Sequence, residues 1–227
     1  IKQYEMETNF VCHMILDISA SMRYGEGAEQ KLHYAAQMAS MLGYSIIRQS
    51  DKVSLATFDE QVQGFVPPSN SMAQVVRMTS HLDTIQPVQK TRMAECLTEL
   101  AGRMGRREIV MIFSDFFTNL EELETALQLM RYHRHEVVLM HVLHHDELFF
   151  EFDGMVKFQG LEIDDQYLTQ PADIRRAYLD EMERFNAQLE ELCYRNRIER
   201  VLVDTRRNMG ELFLDYLNQR AMQRFGR

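Results

Sequence analysis

The sequence predicts an α/β fold: a doubly wound, mostly parallel sheet with helices on both faces and one antiparallel edge strand. Three observations carry this expectation. Short, mostly apolar runs such as Ile109-Val110-Met111-Ile112-Phe113 read as strands covered on both sides. Segments with apolar residues three and four apart fall between those runs, as amphipathic helices do. Two of the runs, Val11 to Asp17 and Glu108 to Asp115, end in an acid, at the strand end where open α/β sheets place their ligands.

Taken in order, Val11-Cys12-His13-Met14-Ile15-Leu16 is the first buried strand, and Asp17, Ser19 and Ser21 occupy the turn that leaves it. Arg23-Tyr24-Gly25-Glu26-Gly27 reads as a loop. From Ala28 to Arg48, the positions Leu32, Ala35, Ala36, Ala39, Leu42, Gly43 and Ile46 form one apolar helical face. Ser50-Asp51 closes that helix, and the β-rich run Val53 to Phe58 is the second strand. Gln61 to Val66 carries Gly64 and runs into Pro67-Pro68, features of an edge strand, and the two-residue turn Asp59-Glu60 makes it antiparallel to its predecessor. A helix follows over Ser71 to Ile85, then a loop Gln86 to Thr91 that places Thr91 just before a helix through Met93, Leu97, Leu100 and Met104.

Glu108 to Phe113 is the second strongly apolar strand and ends in Ser114-Asp115. Asn119, with Glu122 three residues on, resembles a capping box that opens a helix through Leu123, Leu127 and Met130. Val137 to Leu143 is a further buried strand. Phe150-Glu151-Phe152, the turn pair Asp153-Gly154 and Val156-Lys157-Phe158 then read as a β-hairpin, either a contact surface or a flap packed on its own domain. Pro171 opens a long helix to about Arg195, Val201 to Val203 is the last strand, and Asn208 to Phe225 the last helix. The expected organisation is one domain over residues 1–227, with a hairpin excursion near 148–160.

Composition narrows the function classes. With 227 residues, 45% of them hydrophobic, the chain can bury a sizeable core. Its formal charge of -9 disfavours nonspecific nucleic acid or anionic membranes. The basic groups Arg103 to Arg107 and Arg195 to Arg200 read as solvated helix ends, without the aromatic interleaving of a nucleic-acid groove. Cys12, Cys96 and Cys193 are far apart and set in apolar patterns, as small buried hydrophobes of a reducing compartment are. The methionines on helix stripes read as core filler. No apolar stretch reaches the roughly 20 residues that span a bilayer and no signal peptide precedes the first strand. A cytoplasmic location is expected, with any membrane association through a region upstream of Ile1, where the chain opens without Met.

The chemistry concentrates at Asp17-x-Ser19-x-Ser21. One carboxylate and two hydroxyls supply hard oxygen donors, which suit Mg²⁺ or Mn²⁺ better than zinc or copper. The alternative is a strand end whose serines cap the following helix. No Gly-x-Ser-x-Gly elbow and no Gly-rich phosphate loop is present, which removes serine hydrolase and P-loop roles. His144-His145-Asp146-Glu147 reads as a solvated loop, and His133 and His135 as surface residues.

Asp17, Ser19, Ser21, the distant Thr91 and the later Asp115 together resemble the metal-ion-dependent adhesion site (MIDAS) of von Willebrand factor type A domains, in the same order along the chain. Lys90 stands where Gly is common before that Thr. Further stretches look like a bacterial family of unknown function with a type A-like domain, often encoded beside MoxR-type AAA+ ATPases. These are Glu7-Thr8-Asn9, Ser21-Met22-Arg23-Tyr24-Gly25, Lys31 with Tyr34-Ala35, Arg106-Arg107, Ser114-Asp115-Phe116 and Arg175-Arg176-Ala177-Tyr178.

The resemblance implies a Rossmann-like, von Willebrand factor A fold and a metal set of Asp17, Ser19, Ser21, Thr91 and Asp115. It further implies a cation whose open position takes a partner's acidic side chain, and a MoxR-type ATPase or its client as that partner. No catalytic residue is expected. The competing reading is a Mg-dependent phosphatase of haloacid-dehalogenase type with Asp17 as nucleophile. That class wants an acid two residues on, where this chain has Ser19; Lys31 or Lys90 would have to bind phosphate, although Lys31, inside the first helix, reads as a surface-pairing residue.

Overall fold

In the computed structural model, residues 10–85, 91–152, 156–159, 166–169 and 171–225 are described. The order is β1 (Val11–Asp17), α1 (Lys31–Arg48), β2 (Lys52–Phe58), β3 (Val62–Ser69), α2 (Ala73–Leu82), α3 (Met93–Arg103), β4 (Ile109–Ser114), α4 (Leu120–Tyr132), β5 (Glu136–Leu143), α5 (His145–Phe149), β6 (Val156–Gln159), β7 (Gln166–Thr169), α6 (Pro171–Arg195), β8 (Glu199–Asp204) and α7 (Met209–Phe225). Six strands form one sheet in the order β3-β2-β1-β4-β5-β8. Every neighbouring pair is parallel except β2–β3. The expected α/β class and the antiparallel edge strand are therefore both present.

Alternation along the strands divides the core into two layers. Cys12, Met14, Leu16, Met111, Phe113, Val138 and Met140 face one side, where α1, α2 and α7 supply Met38, Leu42, Met78 and Leu212. Ile15, Val110, Ile112, Val137 and Leu139 face the other, against Leu97, Leu100, Leu127 and Leu189 of α3, α4 and α6. Each fully buried large apolar side chain contributes about 1.5–3 kcal/mol, enough that both faces of the sheet must stay covered. Cys12, Cys96 and Cys193 are buried, as expected.

Pro67 and Pro68 lie inside β3 instead of ending it. An edge strand tolerates them because its outer side has no ladder to supply. Gln74 secures the segment by donating from Nε2 to the carbonyls of Val53 and Pro67, each at 2.8 Å. Gly64 is required because a Cβ there would collide with the His81 imidazole.

Three helices end without glycine. Ser50, Arg134 and Arg197 adopt left-handed φ of 68°, 65° and 54°. At each, the next amide reaches back to the helix: Asp51 N–H to the Ile46 carbonyl, His135 to Met130, and Ile198 to Cys193. These are Schellman endings, which turn the chain directly into β2, β5 and β8. The turn at Arg134 swings His135 inward, so that it is fully buried and not a surface residue. On β1, two strands away, His13 is also buried, with Nδ1 2.6 Å from Ser54 Oγ and Nε2 2.8 Å from Glu108 Oε2.

Burial is the main cause that holds both imidazoles below the ordinary 6.5; Glu108 opposes it for each. The unfolded chain therefore takes up protons at a pH where the native state still refuses them. Stability present above 6.5 is lost as pH falls through that value towards the folded-state values. Urea unfolding at about pH 7 and about pH 5 is expected to show a smaller acid loss in His135→Gln than in the wild type. Equal losses would contradict this assignment.

The expected hairpin is differently built. His144–Glu147 is no solvated loop: His144 caps α5, accepting from the Asp146 amide while the Glu147 carboxylate accepts from the His144 amide. Helix α5 ends at Phe150 in a left-handed conformation, which takes Phe150 out of any strand. Val156–Gln159 pairs antiparallel with Gln166–Thr169, not with residues 150–152. The turn pair Asp153-Gly154 lies outside the described residues, as do Glu7-Thr8-Asn9 and Lys90.

Candidate functional site

The chain runs outward through β2 and β3 on one side of β1 and through β4, β5 and β8 on the other. The strand order therefore switches between β1 and β4. Their carboxyl ends part at this point, leaving a crevice of the kind that binds ligands in open α/β sheets. Leu16 is level with Phe113, so Asp17 and Ser114 emerge side by side.

Asp17 is buried and both its oxygens are engaged. Oδ1 accepts from the Ser19 amide at 2.9 Å, and Oδ2 from the Ser114 hydroxyl at 2.7 Å. Ser114 Oγ in turn accepts from the Phe116 amide at 2.9 Å, so one hydroxyl ties the two loops together. Asp115 is likewise buried; its Oδ1 accepts from the Phe117 amide at 3.2 Å. Ser19 occupies the cap position of the 3-10 turn Ala20–Arg23 but makes no capping bond. Its hydroxyl lies 3.2 Å from that of Ser21. Ser19 thus lies between Asp17 and Ser21 instead of capping a helix.

Thr91 precedes α3, whose start is anchored to the end of β2 by the Arg92 amide donating to the Asp59 carbonyl at 3.0 Å. The end of β2 lies beside Asp17, since Asp17 pairs with Phe58. The Thr91 hydroxyl is buried and has no hydrogen-bond partner among the described residues. Asp17, Ser19 and Ser21 therefore form one hydrogen-bonded chain next to Asp115, which follows Ser114, and Thr91 stands at the same sheet edge without a described bond to them.

Lys31 corrects the sequence reading. It is no surface residue: the side chain is fully buried, and Nζ donates to Asp115 Oδ2 and to Glu147 Oε1, each at 2.8 Å. The ammonium also lies 5.6 Å from the centre of the Phe117 ring. The first turn of α1 points Lys31 at the crevice, and the cap of α5 brings Glu147 to meet it. No local pattern in the sequence joins residues 31, 115 and 147; a lysine at the start of an amphipathic helix was the available signal.

Electrostatics follow from this enclosure. Burial raises the Asp17 carboxyl, and the neighbouring charge of Asp115 adds to it, against the bonds from Ser19 and Ser114. Burial acts on Asp115 too, but the Lys31 ammonium outweighs it and holds Asp115 below the usual carboxylate value. Burial likewise opposes the charge on Lys31, and Asp115 with Glu147 outweighs it and raises the ammonium. Behind the cluster His141 is buried beside Arg200, whose Nη2 lies 2.8 Å from its Nδ1; burial and that charge lower it to about 3.

The residues fit a hard divalent cation. Asp17, Ser19, Ser21, Thr91 and Asp115 offer only oxygen, and the Thr91 hydroxyl lacks, among the described residues, the partner that a buried polar group needs. No group of three or more His, Cys, Asp or Glu among the described residues is placed to hold a metal. A cation here would consequently depend on the hydroxyls. No helix among the described residues is long and apolar enough to cross a membrane.

Comparison with known proteins gives the fold and the family. BatB, a conserved hypothetical protein from Bacteroides thetaiotaomicron, is similar in structure at 14% identity and a TM-score of 0.62, over 95% of this chain and 99% of that one. An aerotolerance-related membrane protein from Bacteroides fragilis is similar at 17% identity and a TM-score of 0.62, over 92% and 97%. At such identities the likeness concerns the fold alone. The SpRpn10 VWA domain, at 10% identity and a TM-score of 0.39 over 59% of this chain and 75% of that one, is too distant to add to it. No curated protein matches the chain. The family described as "Protein of unknown function DUF58" matches residues 1–188, most of the sequence, and the chain belongs to that family.

Proposed function

We propose that this chain is a non-enzymatic protein-binding module that uses Mg²⁺ or Mn²⁺ at Asp17, Ser19, Ser21, Thr91 and Asp115 to capture an acidic side chain of a partner. The carrying observation is the pair of buried carboxylates, Asp17 and Asp115, with the neighbouring Ser19 and Ser21 hydroxyls at the switch point and a Thr91 hydroxyl at the same edge that has no partner among the described residues. Bound there, the ion supplies an electrophilic contact for a carboxylate, because three of its five protein donors are neutral. The protein's own groups do the positioning: Ser114 and the Ser19 amide fix Asp17, and Lys31 with the Phe117 amide fixes Asp115.

The resemblance to MIDAS domains supports this reading, and the family resemblance supports a MoxR-type AAA+ ATPase or its client as the partner. We place the module in the cytoplasm and at a membrane surface; one similar structure is that of an aerotolerance-related membrane protein. Ser19 stands where a phosphatase of haloacid-dehalogenase type wants an acid, which disfavours that reading.

Pull-down from cell lysate, with and without chelator, tests the proposal. Ser19→Ala/Ser21→Ala and chelation are each expected to reduce partner recovery about tenfold or more, since outer-shell changes alone weaken metal sites by 10–100-fold. Equal recovery in all conditions would refute metal bridging. Turnover of a phosphoester that disappears in Asp17→Asn would favour the phosphatase instead.

A further inference from the structure

The buried Lys31 ammonium adjoins the proposed cation site through Asp115. It bonds to one oxygen of Asp115, is shut off from solvent, and has Glu147 as a second anion. Glu147 is itself held from outside: Tyr178 of α6 donates to its backbone carbonyl at 3.0 Å, and Arg175 donates to the carbonyls of Phe149 and Phe150. The ammonium is thus held by two carboxylates and is out of contact with solvent.

Charge counting shows what such a neighbour does. Asp17, Asp115 and Glu147 carry three negative charges and Lys31 one positive, which leaves two for a divalent ion to cancel. The loaded cluster is then neutral, and a partner's carboxylate meets no excess negative charge. Without the lysine, the loaded cluster would keep one negative charge; it would hold the ion more tightly and repel the partner. Coulomb repulsion between an ammonium and a dication a few ångströms apart is large enough to matter even at a high effective dielectric.

We infer that Lys31 is a resident counter-cation of this site, which lowers its affinity for the divalent ion and keeps the loaded site receptive to an acidic partner. The inference rests on the divalent-cation reading above. It assigns Lys31 a positioning and tuning role; Lys31 is not a ligand.

The test is Mn²⁺ binding by calorimetry at mildly alkaline pH, with circular dichroism as the check of folding. Lys31→Met is compared with Lys31→Met/Glu147→Leu, which removes both members of the Lys31–Glu147 pair and leaves no orphaned Glu147. Lys31→Met is expected to bind Mn²⁺ about tenfold tighter or more than the wild type. The double variant, which keeps the wild type's net charge of two negatives, is expected to bind less tightly than Lys31→Met and still more tightly than the wild type, because it loses the ammonium bonded to Asp115 while Glu147 lies on the far side of that ammonium. If Lys31→Met fails to fold, the double variant decides. Folded variants with unchanged or weaker affinity, alongside a wild type that binds Mn²⁺, would overturn the role of Lys31 and leave the metal reading intact. Absence of Mn²⁺ binding in the wild type and in both variants would overturn the metal reading and this inference with it.

Discussion

Lys31→Ala is expected to destabilise the protein by about 3–5 kcal/mol, the range for breaking one side of a buried ion pair. The substitution leaves Asp115 and Glu147 enclosed without their shared cation, 2.8 Å from where it stood. Equilibrium urea unfolding in the presence of chelator measures the effect directly. Arg184→Ala is the control, since Arg184 and Glu181 form an exposed helix pair of a kind that contributes little. A loss for Lys31→Ala below about 1 kcal/mol would show that the ammonium is hydrated and not locked between the two acids.

The second large effect is expected at Phe116. Its ring is fully buried, edge-on to His141 at 5.8 Å, and its backbone is left-handed with φ 56°. Phe116→Ala should therefore cost about 3–5 kcal/mol in lost packing. The backbone adds an unusual signature. Elsewhere Gly is less stable than Ala by about 0.5–1 kcal/mol, but a left-handed position costs an L-residue about 1–2 kcal/mol. Phe116→Gly is thus expected to be at least as stable as Phe116→Ala, by the same unfolding measurement. The reverse order would mean that the loop carrying Asp115 relaxes out of this conformation once the ring is gone.

The elements that the sequence revealed best are those with long, regular patterns. The helix from Pro171 to Arg195 ends where expected, and the strands around Met14, Leu55, Ile112 and Leu139 are found within about two residues of their expected bounds. The misread segments share a cause. Phe150-Glu151-Phe152 alternates like a strand, but the His144–Glu147 capping box and the left-handed Phe150 override that local pattern. His135 looked solvent-facing because Arg134 carries none of the glycine signal that marks a Schellman ending. Ser114 was seen only as a strand end; its role as the link between the loops of Asp17 and Asp115 needs two adjacent strands in register.

By itself the sequence determined the alternation of strand and helix, the antiparallel edge, and the presence of oxygen donors at the ends of the first and fourth strands, because periodicity and residue chemistry are local properties. Tertiary structure alone decided that Lys31 meets Asp115 and Glu147, that Ser114 bonds to Asp17, and that the Thr91 hydroxyl is buried without a partner among the described residues. Each of these unites or isolates side chains that are far apart along the chain. Their energies depend on burial and on ångström-scale distances, and only the packed sheet with its helices sets those quantities.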